Sequence, residues 1–317
     1  MRRPGLYSLL VDLGRPRSRS LGVPVGGAAD QAAFLLGNAL VGNPPNTPAL
    51  EIAFSGPTLQ AEHPVAGVLF GSPMDCTLNN DPIPSGVTFS LQPGDVLHIG
   101  GSRGGARAYF CVAGGFTAPR ILGSRSAFEP LPADARLDCP ASRMGARRLP
   151  PAVTSCWQRF SDATSPAEPG QAAPVRRLRV LDGPQRHWFA DDGLFTQLYE
   201  VATASNRMGL RLKGQPLTRP AKELVSEAVA PGAVQITNDG LPIVLGVDGQ
   251  TIGGYPKIAH VIRADRDELG QLRPGDRVQF VRVSLEEAEE AALHRQRWLQ
   301  PWIERLRYAE GAPEFVE

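Results

Sequence analysis

The 317-residue sequence lacks the short motifs that most directly assign a nucleotide or a metal to a chain. It contains no G-x-x-x-x-G-K-[ST], which excludes a Walker-type ATP site. Its five histidines show no paired spacing, and no two of its four cysteines stand two to four residues apart. Because metal sites built by a protein draw on such clusters, we expect no metal site in this chain.

An excess of charge of one sign is also missing. Lys and Arg number 33, Asp and Glu number 32, and the basic residues are dispersed along the chain. Nucleic acids and anionic membrane surfaces are bound by concentrated basic patches. We therefore expect neither a nucleic acid nor a membrane as a partner.

Long hydrophobic runs are absent near the start of the sequence. The apolar run from Leu6 to Val11 is interrupted by Ser8 and ends at Asp12. It is too short for the core of a signal peptide or for a membrane span of about 20 residues. In a chain of this length, four unpaired cysteines indicate thiols of a reducing compartment. We expect a cytoplasmic protein.

Glycine and proline, by contrast, are plentiful and occur along the whole chain, with 34 and 30 copies. Frequent turn residues of this kind are typical of chains that form many short strands. Runs rich in Val, Ile and Phe, most of them four to eight residues long and bounded by Gly, Pro, Asn or Asp, are predicted strands. They cover residues 65–71, 87–91, 95–100, 106–115, 176–183, 233–237, 242–247, 259–264 and 277–283. With few helices beside them, these strands predict a mainly β fold.

Two helices are predicted before the C-terminal part of the chain. Residues 29–43 begin with Asp30 as a candidate N-cap and end at a Gly-Asn pair. Residues 190–201 are a weaker candidate.

The C-terminal residues 284–317 are predicted to form a helix and a tail. Ser284 and Glu287 have the spacing of a capping box, and we expect the helix to run to about Pro301.

The rest of the chain divides into two halves. Residues 150–176 are rich in Pro, Ala and Ser and predict a linker or surface excursion between residues 1–149 and 177–283. LQPGDVLHIG at 91–100 is similar to LRPGDRVQFV at 272–281, and a looser match places Arg15 opposite Arg207. Turns of the P-G-D type are common, so gene duplication and chance are both open on this evidence.

Five stretches, in this order along the chain, carry a family resemblance: VDLGR, GVPVGGAAD, ALEIAFSGPTL, SNRMGLRLKG and QTIGGYPKIAHVIRAD. Over about residues 5–126 and 176–283 the chain resembles the KipA family. That family comprises the C subunit of bacterial 5-oxoprolinase, also called allophanate hydrolase subunit 2, and the carboxyltransferase A/B subdomain of urea carboxylase. The resemblance implies two cyclophilin-like β-barrel halves, here followed by the C-terminal helix.

The sequence departs from the family pattern in three places. Val11 stands where the family usually has Gln, and Gly26–Gly27 replaces its Ser-Gly pair. Residues 127–153 replace a glycine-rich turn and the segment after it, which puts the edge of the first half in question.

Three functions follow from the resemblance. The first is membership of an ATP-dependent amidohydrolase that opens 5-oxoproline to glutamate, together with a KipI-like B subunit, as well as a LamB/YcsF-like A subunit. The ATP would be used by the complex. The second is a biotin-dependent carboxyltransferase component acting on urea or a related amide. The third is a non-catalytic regulator that binds a KipI-like kinase inhibitor.

The stretch around Gly253 and Gly254 is the first candidate site. Glycines let a backbone approach a ligand closely or adopt positive φ, Tyr255 offers a flat face, and Lys257 offers a charge that could stabilise a developing oxyanion. The alternative is a β-bulge that bends a strand, with Lys257 in solvent.

Anion binding is the second candidate role. Asp12, Arg15 and Arg207 are candidates because a guanidinium group binds a carboxylate through two hydrogen bonds, and 5-oxoproline carries a carboxylate. Structural ion pairs are the alternative. Asp30 follows a glycine pair and is a candidate for substrate binding or for a plain N-cap.

Amide recognition is the third candidate role. Gln235 could read a lactam with its own amide, and Asp248 could act as a general base or simply begin a turn. Ser226 is a candidate contact but has no histidine motif that would make it a nucleophile. We expect these groups to line a crevice between the two halves or beside the KipI-like partner.

Overall fold

The computed structural model describes residues 1–150, 174–219 and 222–316. These residues form two compact units. The first contains residues 1–14, 30–150 and 298–316, and the second contains 15–29, 174–219 and 222–297. The predicted linker at 150–176 falls mostly on residues outside the described ones. The short segment 15–29 belongs with the second unit although it lies near the start of the chain.

The strands of the first unit are hydrogen-bonded as separate antiparallel sheets. A five-stranded sheet has the order β1-β2-β9-β4-β7, and a four-stranded sheet has the order β3-β8-β5-β6. Their strands are β1 Tyr7–Val11, β2 Ala49–Ala53, β3 Thr58–Gln60, β4 Val65–Gly71, β5 Met74–Leu78, β6 Asp81–Pro82, β7 Phe89–Leu91, β8 Val96–Ser102 and β9 Arg107–Val112. A small strand, β10 Ser142–Arg143, pairs with β20 Glu314–Phe315.

The core of the first unit lies where the two sheets face each other. Phe110 and Val112 of β9 share one buried cluster with Leu97 and Ile99 of β8. The alternate residues of β9 point away from this cluster. One of them, Tyr109, makes an edge-to-face contact with Phe34, with 5.9 Å between the ring centroids. All of β9 is therefore buried, which explains the uninterrupted apolar run in its sequence.

The second unit is built on a closed barrel. The barrel has the order β11-β18-β15-β16-β13-β12-β19, and the closing pair, β11 with β19, is parallel. Its strands are β11 Val175–Asp182, β12 Tyr199–Val201, β13 Gly209–Lys213, β15 Ala233–Ile236, β16 Pro242–Leu245, β18 Lys257–Val261 and β19 Arg277–Arg282. Inward residues at every second position fill it, as Leu178 and Val180 do on β11. A separate ribbon pairs β14 Glu227–Ala228 with β17 Ile252–Gly253.

The two P-G-D turns have the same hydrogen-bonded geometry. Gly94 and Gly275 both have φ of +91°. The Asp95 carboxylate accepts from the Gln92 N–H at 2.7 Å, and the Asp276 carboxylate accepts from the Arg273 N–H at 2.8 Å. Each glycine N–H donates at 2.8 Å to the end of a neighbouring strand, at Ala61 O and Val201 O respectively. The shared P-G-D residues therefore form the same turn in both units.

The helices of the described residues are α1 Gln31–Leu40, α2 Gly193–Thr196, α3 Arg266–Gln271 and α4 Leu285–Arg307. Asp30 caps α1 by accepting from the Ala33 N–H at 2.9 Å, so the predicted N-cap is confirmed. The weak candidate at 190–201 contains only the single turn α2, followed by strand β12.

The predicted capping box of α4 is confirmed. The Ser284 N–H donates to Glu287 Oε2 at 2.7 Å, and the Glu287 N–H donates to Ser284 Oγ at 3.2 Å. The predicted end near Pro301 is wrong, because the helix continues to Arg307. Proline removes one backbone donor, and burial of Ile303 and Leu306 after it compensates for the loss.

The mainly β fold with a C-terminal helix is confirmed, and each of the nine predicted strands overlaps an observed one. Cys76, Cys111 and Cys139 are free thiols, while Cys156 lies outside the described residues. Within those residues, no helix has the length and apolar character needed to cross a membrane.

Two separate glycines of the first unit, Gly94 and Gly101, allow a test of the turn geometry. Gly94 and Gly101 both have open space within 4 Å of where a Cβ would stand, but only Gly94 has positive φ. We expect Gly94→Ala to lower the free energy of unfolding by about 1–2 kcal/mol, the cost of a Cβ in the left-handed region. Gly101→Ala, the matched control, should lower it by less than about 0.5 kcal/mol. Urea unfolding measures both, and equal losses would contradict the assignment.

Candidate functional site

Arg207 and Asp248 form a bidentate ion pair in the second unit. Arg207 Nε donates to Asp248 Oδ2 at 2.6 Å, and Nη2 donates to Asp248 Oδ1 at 3.0 Å. The arginine side chain is 6% exposed and the aspartate side chain 30% exposed. Two parallel charge-assisted bonds of this kind hold both side chains in one orientation. Asp248 still presents part of its carboxylate to solvent.

The segment 15–29 contacts the same pair. Arg207 Nη2 also donates to the Gly27 carbonyl at 2.8 Å, and the Gly26 N–H donates to the Val247 carbonyl at 2.9 Å. A Cβ on Gly26 would stand 3.2 Å from Arg15 Nη1 and 3.9 Å from Asp248 Oδ1. Both predicted arginines and Asp248 therefore surround the glycine pair Gly26–Gly27. We call Arg15, Arg207 and Asp248 the arginine cluster.

Gly246 makes the approach of these strands feasible. A Cβ there would stand 2.2 Å from the Arg207 carbonyl oxygen, a distance that no side chain tolerates. The Asp248 N–H donates to that same oxygen at 3.2 Å. The backbone of residues 246–248 thus lies directly against Arg207, and the carboxylate is placed opposite the guanidinium.

Gly253 lets two glutamine amides reach the backbone. Gln235 is buried on β15, and its Nε2 lies 2.9 Å from the position of a Cβ on Gly253, while Gln250 Nε2 lies 2.6 Å from it. Gln235 Nε2 also makes a long contact, 3.4 Å, with the Tyr255 carbonyl. Neither Gly253 nor Gly254 has positive φ. Close approach, rather than an unusual backbone angle, is the reason for the glycines.

A β-bulge was the alternative explanation for Gly253 and Gly254, but the bulge lies between β15 and β18. The register between β15 and β18 shifts between Val234 and Gln235, where Ala259 and Lys257 are the partners and Ile258 is the extra residue. Gly253 itself pairs regularly with Glu227. The bulge makes Lys257, and not Ile258, the partner of Gln235.

Lys257 is held by acceptors. Its Nζ lies 2.8 Å from Glu227 Oε1 and donates to the Ala228 carbonyl at 3.0 Å. Gln185 completes the group, because its Nε2 donates to Glu227 Oε1 at 2.8 Å and its Oε1 accepts from the Lys257 N–H at 3.0 Å. The bond from Lys257 is the main reason that the pKa of Glu227 is lowered. The Lys257 side chain is 12% exposed, so it does not extend into solvent.

A hollow of about 250 Å³ opens beside Tyr255. The polar hollow, as we call it, is lined by Arg219, Glu223, Leu224, Asn238, Gln250, Gly254 and Tyr255. The Arg219 guanidinium carbon lies 5.9 Å from the centroid of the Tyr255 ring, and Nη1 donates to Asn238 Oδ1. Arg219 Nε is buried without a hydrogen-bond partner among the described residues. Ser226 is exposed, and its Oγ lies 3.4 Å from the place of a Cβ on Gly254.

Asp12 lies in the first unit and is held by four hydrogen bonds. Its carboxylate accepts from the Ser124 and Ser126 hydroxyls at 2.6 Å each, from the Arg125 N–H at 2.6 Å and from the Gly14 N–H at 2.8 Å. Burial by itself would raise the pKa of Asp12, but these bonds lower it below its usual value. With 2% exposure, Asp12 orders the loop 124–126.

Asp30 takes part in a buried polar network of the first unit besides capping α1. Its N–H donates to the Tyr109 hydroxyl at 2.8 Å, and that hydroxyl donates to Glu51 Oε2 at 2.9 Å. Glu51 also accepts from Arg107 Nε at 3.1 Å. Burial and the nearby carboxylates raise the pKa of Tyr109 well above its usual value.

The structure therefore assembles part of the predicted residue set in the second unit. Arg15, Arg207 and Asp248 form the arginine cluster, and residues 248–255 lead from it to the polar hollow at Tyr255. Asp12 and Asp30 lie in the first unit and have complete structural partners there. Sequence reasoning did not single out Arg219, Asn238 and Gln250. Gln250 could have been found from the sequence, because it stands three residues before Gly253. Arg219 and Asn238 could not, because only the fold brings them beside Gln250.

Asp12 generates a pH-dependent prediction. A carboxylate whose folded pKa is lowered stabilises the fold above its unfolded pKa of about 3.9, and that contribution is lost as pH falls through the folded pKa. We expect Asp12→Asn to lower the free energy of unfolding by about 1–3 kcal/mol at pH 7, since four donors lose their charged acceptor. The difference from wild type should shrink below about pH 4. Urea unfolding from pH 3 to 8 tests this, with exposed Asp81→Asn as control, and a pH-independent difference would contradict it.

Comparisons with known proteins place this geometry in a family. A family model of the carboxyltransferase domain, subdomain A and B, matches residues 21–282. The C subunit of the 5-oxoprolinase of Escherichia coli is 34% identical over 314 residues, which cover 96% of this chain and 97% of that protein. The urea amidolyase of Saccharomyces cerevisiae is 29% identical over 308 residues, which cover 89% of this chain and 16% of that protein.

A solved structure agrees with these relatives. The K. lactis urea amidolyase superposes with a TM-score of 0.80 at 27% identity, covering 95% of this chain and 20% of that one. The present chain thus spans a small part of the urea amidolyases and nearly all of the Escherichia coli protein. The resemblance seen in the sequence is confirmed, and the chain belongs to the family of the carboxyltransferase domain, subdomains A and B.

Proposed function

We propose that this chain is part of an ATP-dependent amidohydrolase that opens 5-oxoproline to glutamate, working with a KipI-like protein and a LamB/YcsF-like protein. The observation that carries the proposal is similarity to the C subunit of a 5-oxoprolinase over nearly the full length of both chains. The sequence has no Walker motif, so the proposal assigns this chain no Walker-type nucleotide site.

The polar hollow supports a small planar amide with a carboxylate. Arg219 offers a buried Nε donor that has no partner within the described residues, and guanidinium donors suit a carboxylate. Gln250 and Asn238 carry amides that pair with the N–H and C=O of a lactam. Tyr255 provides a flat wall against which a five-membered ring packs.

The arginine cluster supports the hollow from one end of the segment 248–255. Arg207 holds Asp248 through two bonds, and the backbone runs from there to Gln250 and Tyr255. We therefore propose that Arg207 and Arg15 position this segment, while Gln235 positions Gly253 from the barrel side. The catalytic roles of Asp248, Gln235 and Lys257 and the substrate contact of Ser226 stay predictions.

Carboxyl transfer is a second candidate function. It is favoured by the matching family model and by the urea amidolyase relatives. Biotin presents a planar ureido ring, and the amide groups and the aromatic wall of the polar hollow fit such a ring as they fit a lactam. Under this alternative the complex contains a biotinylated protein, and urea or a related amide is the acceptor.

Reconstitution separates these functions. The chain is mixed with its KipI-like and LamB-like neighbours, ATP and 5-oxoproline, and glutamate is measured. We expect glutamate to form only when all three proteins and ATP are present. Assembly of the three proteins without glutamate, combined with biotin-dependent carboxylation of urea, would replace the first function by the second. Assembly without either reaction would favour a purely regulatory chain.

Two variants of the polar hollow test substrate recognition in the same assay. We expect Arg219→Gln and Gln250→Leu each to raise the KM for 5-oxoproline by about tenfold or more, because a carboxylate or an amide of the substrate loses its partner. Arg211→Gln, an exposed change on β13, is the matched control and should leave KM within about twofold. An unchanged KM in both hollow variants would show that the polar hollow does not bind 5-oxoproline. Whether the complex opens 5-oxoproline is decided separately by the reconstitution.

A further inference from the structure

The first unit contains a cavity of about 160 Å³ that the proposed function does not use. Its floor is made of core residues at places where three strands begin or end: Val65 of β4, Leu91 of β7, and Phe110 and Val112 of β9. Each of these four side chains is at most 7% exposed. The floor therefore offers a ligand apolar contacts and no hydrogen-bonding group. We call this space the apolar cavity.

Aromatic rings give the floor a flat and fixed surface. Phe110 and Phe116 both line the apolar cavity, with 6.0 Å between their ring centroids. Phe110 also stacks on Phe89 at 6.2 Å, and a Cβ on Gly67 would stand only 2.7 Å from Phe110 Cε2. The Phe110 ring is therefore held in place by its neighbours. An aromatic ligand that packs on it gains the offset or edge-to-face contacts that aromatic pairs prefer.

The outer wall of the apolar cavity is the segment 134–139. Leu137 and Cys139 of this segment are partly buried against the core cluster of the first unit. The Thr117 N–H donates to the Asp138 carbonyl at 2.7 Å and holds the segment in place. Burial, and next the Asp138 carboxylate, raise the pKa of the Cys139 thiol to about 11, so the thiol is neutral at pH 7. This wall adds polarizable surface without adding a charge.

The rim of the apolar cavity is acidic and open to solvent. Three carboxylates and one guanidinium line it, and all four residues are exposed: Glu62, Asp134, Asp138 and Arg136. Arg136 Nη2 lies 3.0 Å from Glu62 Oε2, and Nε lies 3.2 Å from Asp138 Oδ1. The amino group of Met1 donates to the Ala135 carbonyl at 2.8 Å, and the carboxylates still outnumber these two cations. Such a rim attracts a cation and repels an anion.

The volume of the apolar cavity sets the size of the ligand. A cavity of about 150 Å³ lined by apolar side chains stays free of water and binds a molecule such as benzene. The apolar cavity has nearly this volume and the same kind of lining, so it takes one six-membered ring. Its open rim leaves room for a polar group attached to that ring.

We propose that the apolar cavity of the first unit binds a small aromatic molecule with a neutral or positively charged polar end. The ring packs on Phe110 and Phe116, and the polar end lies at the acidic rim. No residue that lines this cavity lines the polar hollow of the second unit. The site is thus separate from the one proposed for 5-oxoproline, and the two are tested independently.

Calorimetric titration of the whole chain at pH 7 with three probes of similar shape tests the proposal. The probes are benzyl alcohol, benzylamine and benzoate. We expect the alcohol and the amine to bind saturably, with a Kd of about 1 mM or tighter. Benzoate should bind at least about tenfold more weakly than benzylamine, because the rim carboxylates repel it. Absence of saturable binding of benzyl alcohol, or equal binding of benzoate and benzylamine, would overturn the proposal.

A variant that fills the space locates the binding. Ala61 lines the apolar cavity and is 8% exposed, so Ala61→Leu places a larger side chain there. We expect the affinity for benzyl alcohol to fall by about tenfold or more. Ala118→Leu is the matched control, because Ala118 packs on the same core cluster but does not line the cavity. It should bind as wild type does, and binding that survives Ala61→Leu unchanged would count against the site.

Urea unfolding separates lost binding from lost folding. With benzyl alcohol at about ten times its Kd, wild type and Ala118→Leu should unfold at a higher urea concentration than without it. Ala61→Leu should unfold cooperatively at a midpoint that benzyl alcohol does not raise. Leu137→Phe, which enlarges a side chain of the outer wall, is a second filling variant with the same expected loss. An equal rise of the midpoint in wild type and both filling variants would contradict the proposal.

Discussion

The bidentate pair between Arg207 and Asp248 is the interaction on which the second unit most depends. It occupies both oxygens of the carboxylate, and the guanidinium also binds the carbonyl of Gly27. Three stretches that are far apart in sequence, 15–29, 207 and 246–248, are joined at this one side chain. Because the pair is mostly buried, breaking it by removing one partner would leave an uncompensated charge, a large penalty. Glycines at 26 and 246 are the consequence, since a Cβ would crowd Arg15 Nη1 at the first position and overlap the Arg207 carbonyl oxygen at the second.

The two P-G-D turns show how a repeated local structure accommodates two different sheets. In both turns an aspartate accepts from the backbone three residues earlier, and the glycine N–H reaches the end of an adjacent strand. In the second unit the strand that follows the turn pairs with β11 and β12 and closes a barrel. In the first unit it pairs with β3 and β5 in a four-stranded sheet. The turn is thus a shared element, and the later pairing partners decide whether the strands close.

Charge pairing differs between the arginines of the second unit. Arg176, Arg179, Arg207 and Arg295 have carboxylate partners. Arg219 in the polar hollow donates to the Asn238 side chain and has no salt bridge within the part of the chain that the structure describes. A protein normally satisfies buried donors, so donors left over are the places where a ligand contributes most. The substrate contact proposed for Arg219 follows from this rule, while the proposed reaction follows from similarity to the C subunit of a 5-oxoprolinase.

Much of the local structure followed from the sequence. Runs of Val, Ile and Phe between turn residues located nine strands, and the spacing of Ser284 and Glu287 located the start of α4, because both depend on residues a few positions apart. The motifs also indicated the family that the comparisons confirmed. The end of α4 did not follow, since the effect of Pro301 is outweighed by the burial of Ile303 and Leu306.

The assembly of the site was decided by the tertiary structure. Arg15 and Arg207 were singled out from the sequence, but that they share one cluster with Asp248 depends on where the segment 15–29 folds. Arg219 and Asn238 stand 19 residues apart and meet through a hydrogen bond that no local pattern encodes. Short-range propensities act over a few residues, whereas these contacts arise when distant segments pack around a common barrel. The sequence therefore identified several of the site residues, whereas only the tertiary structure determined which residues contact one another.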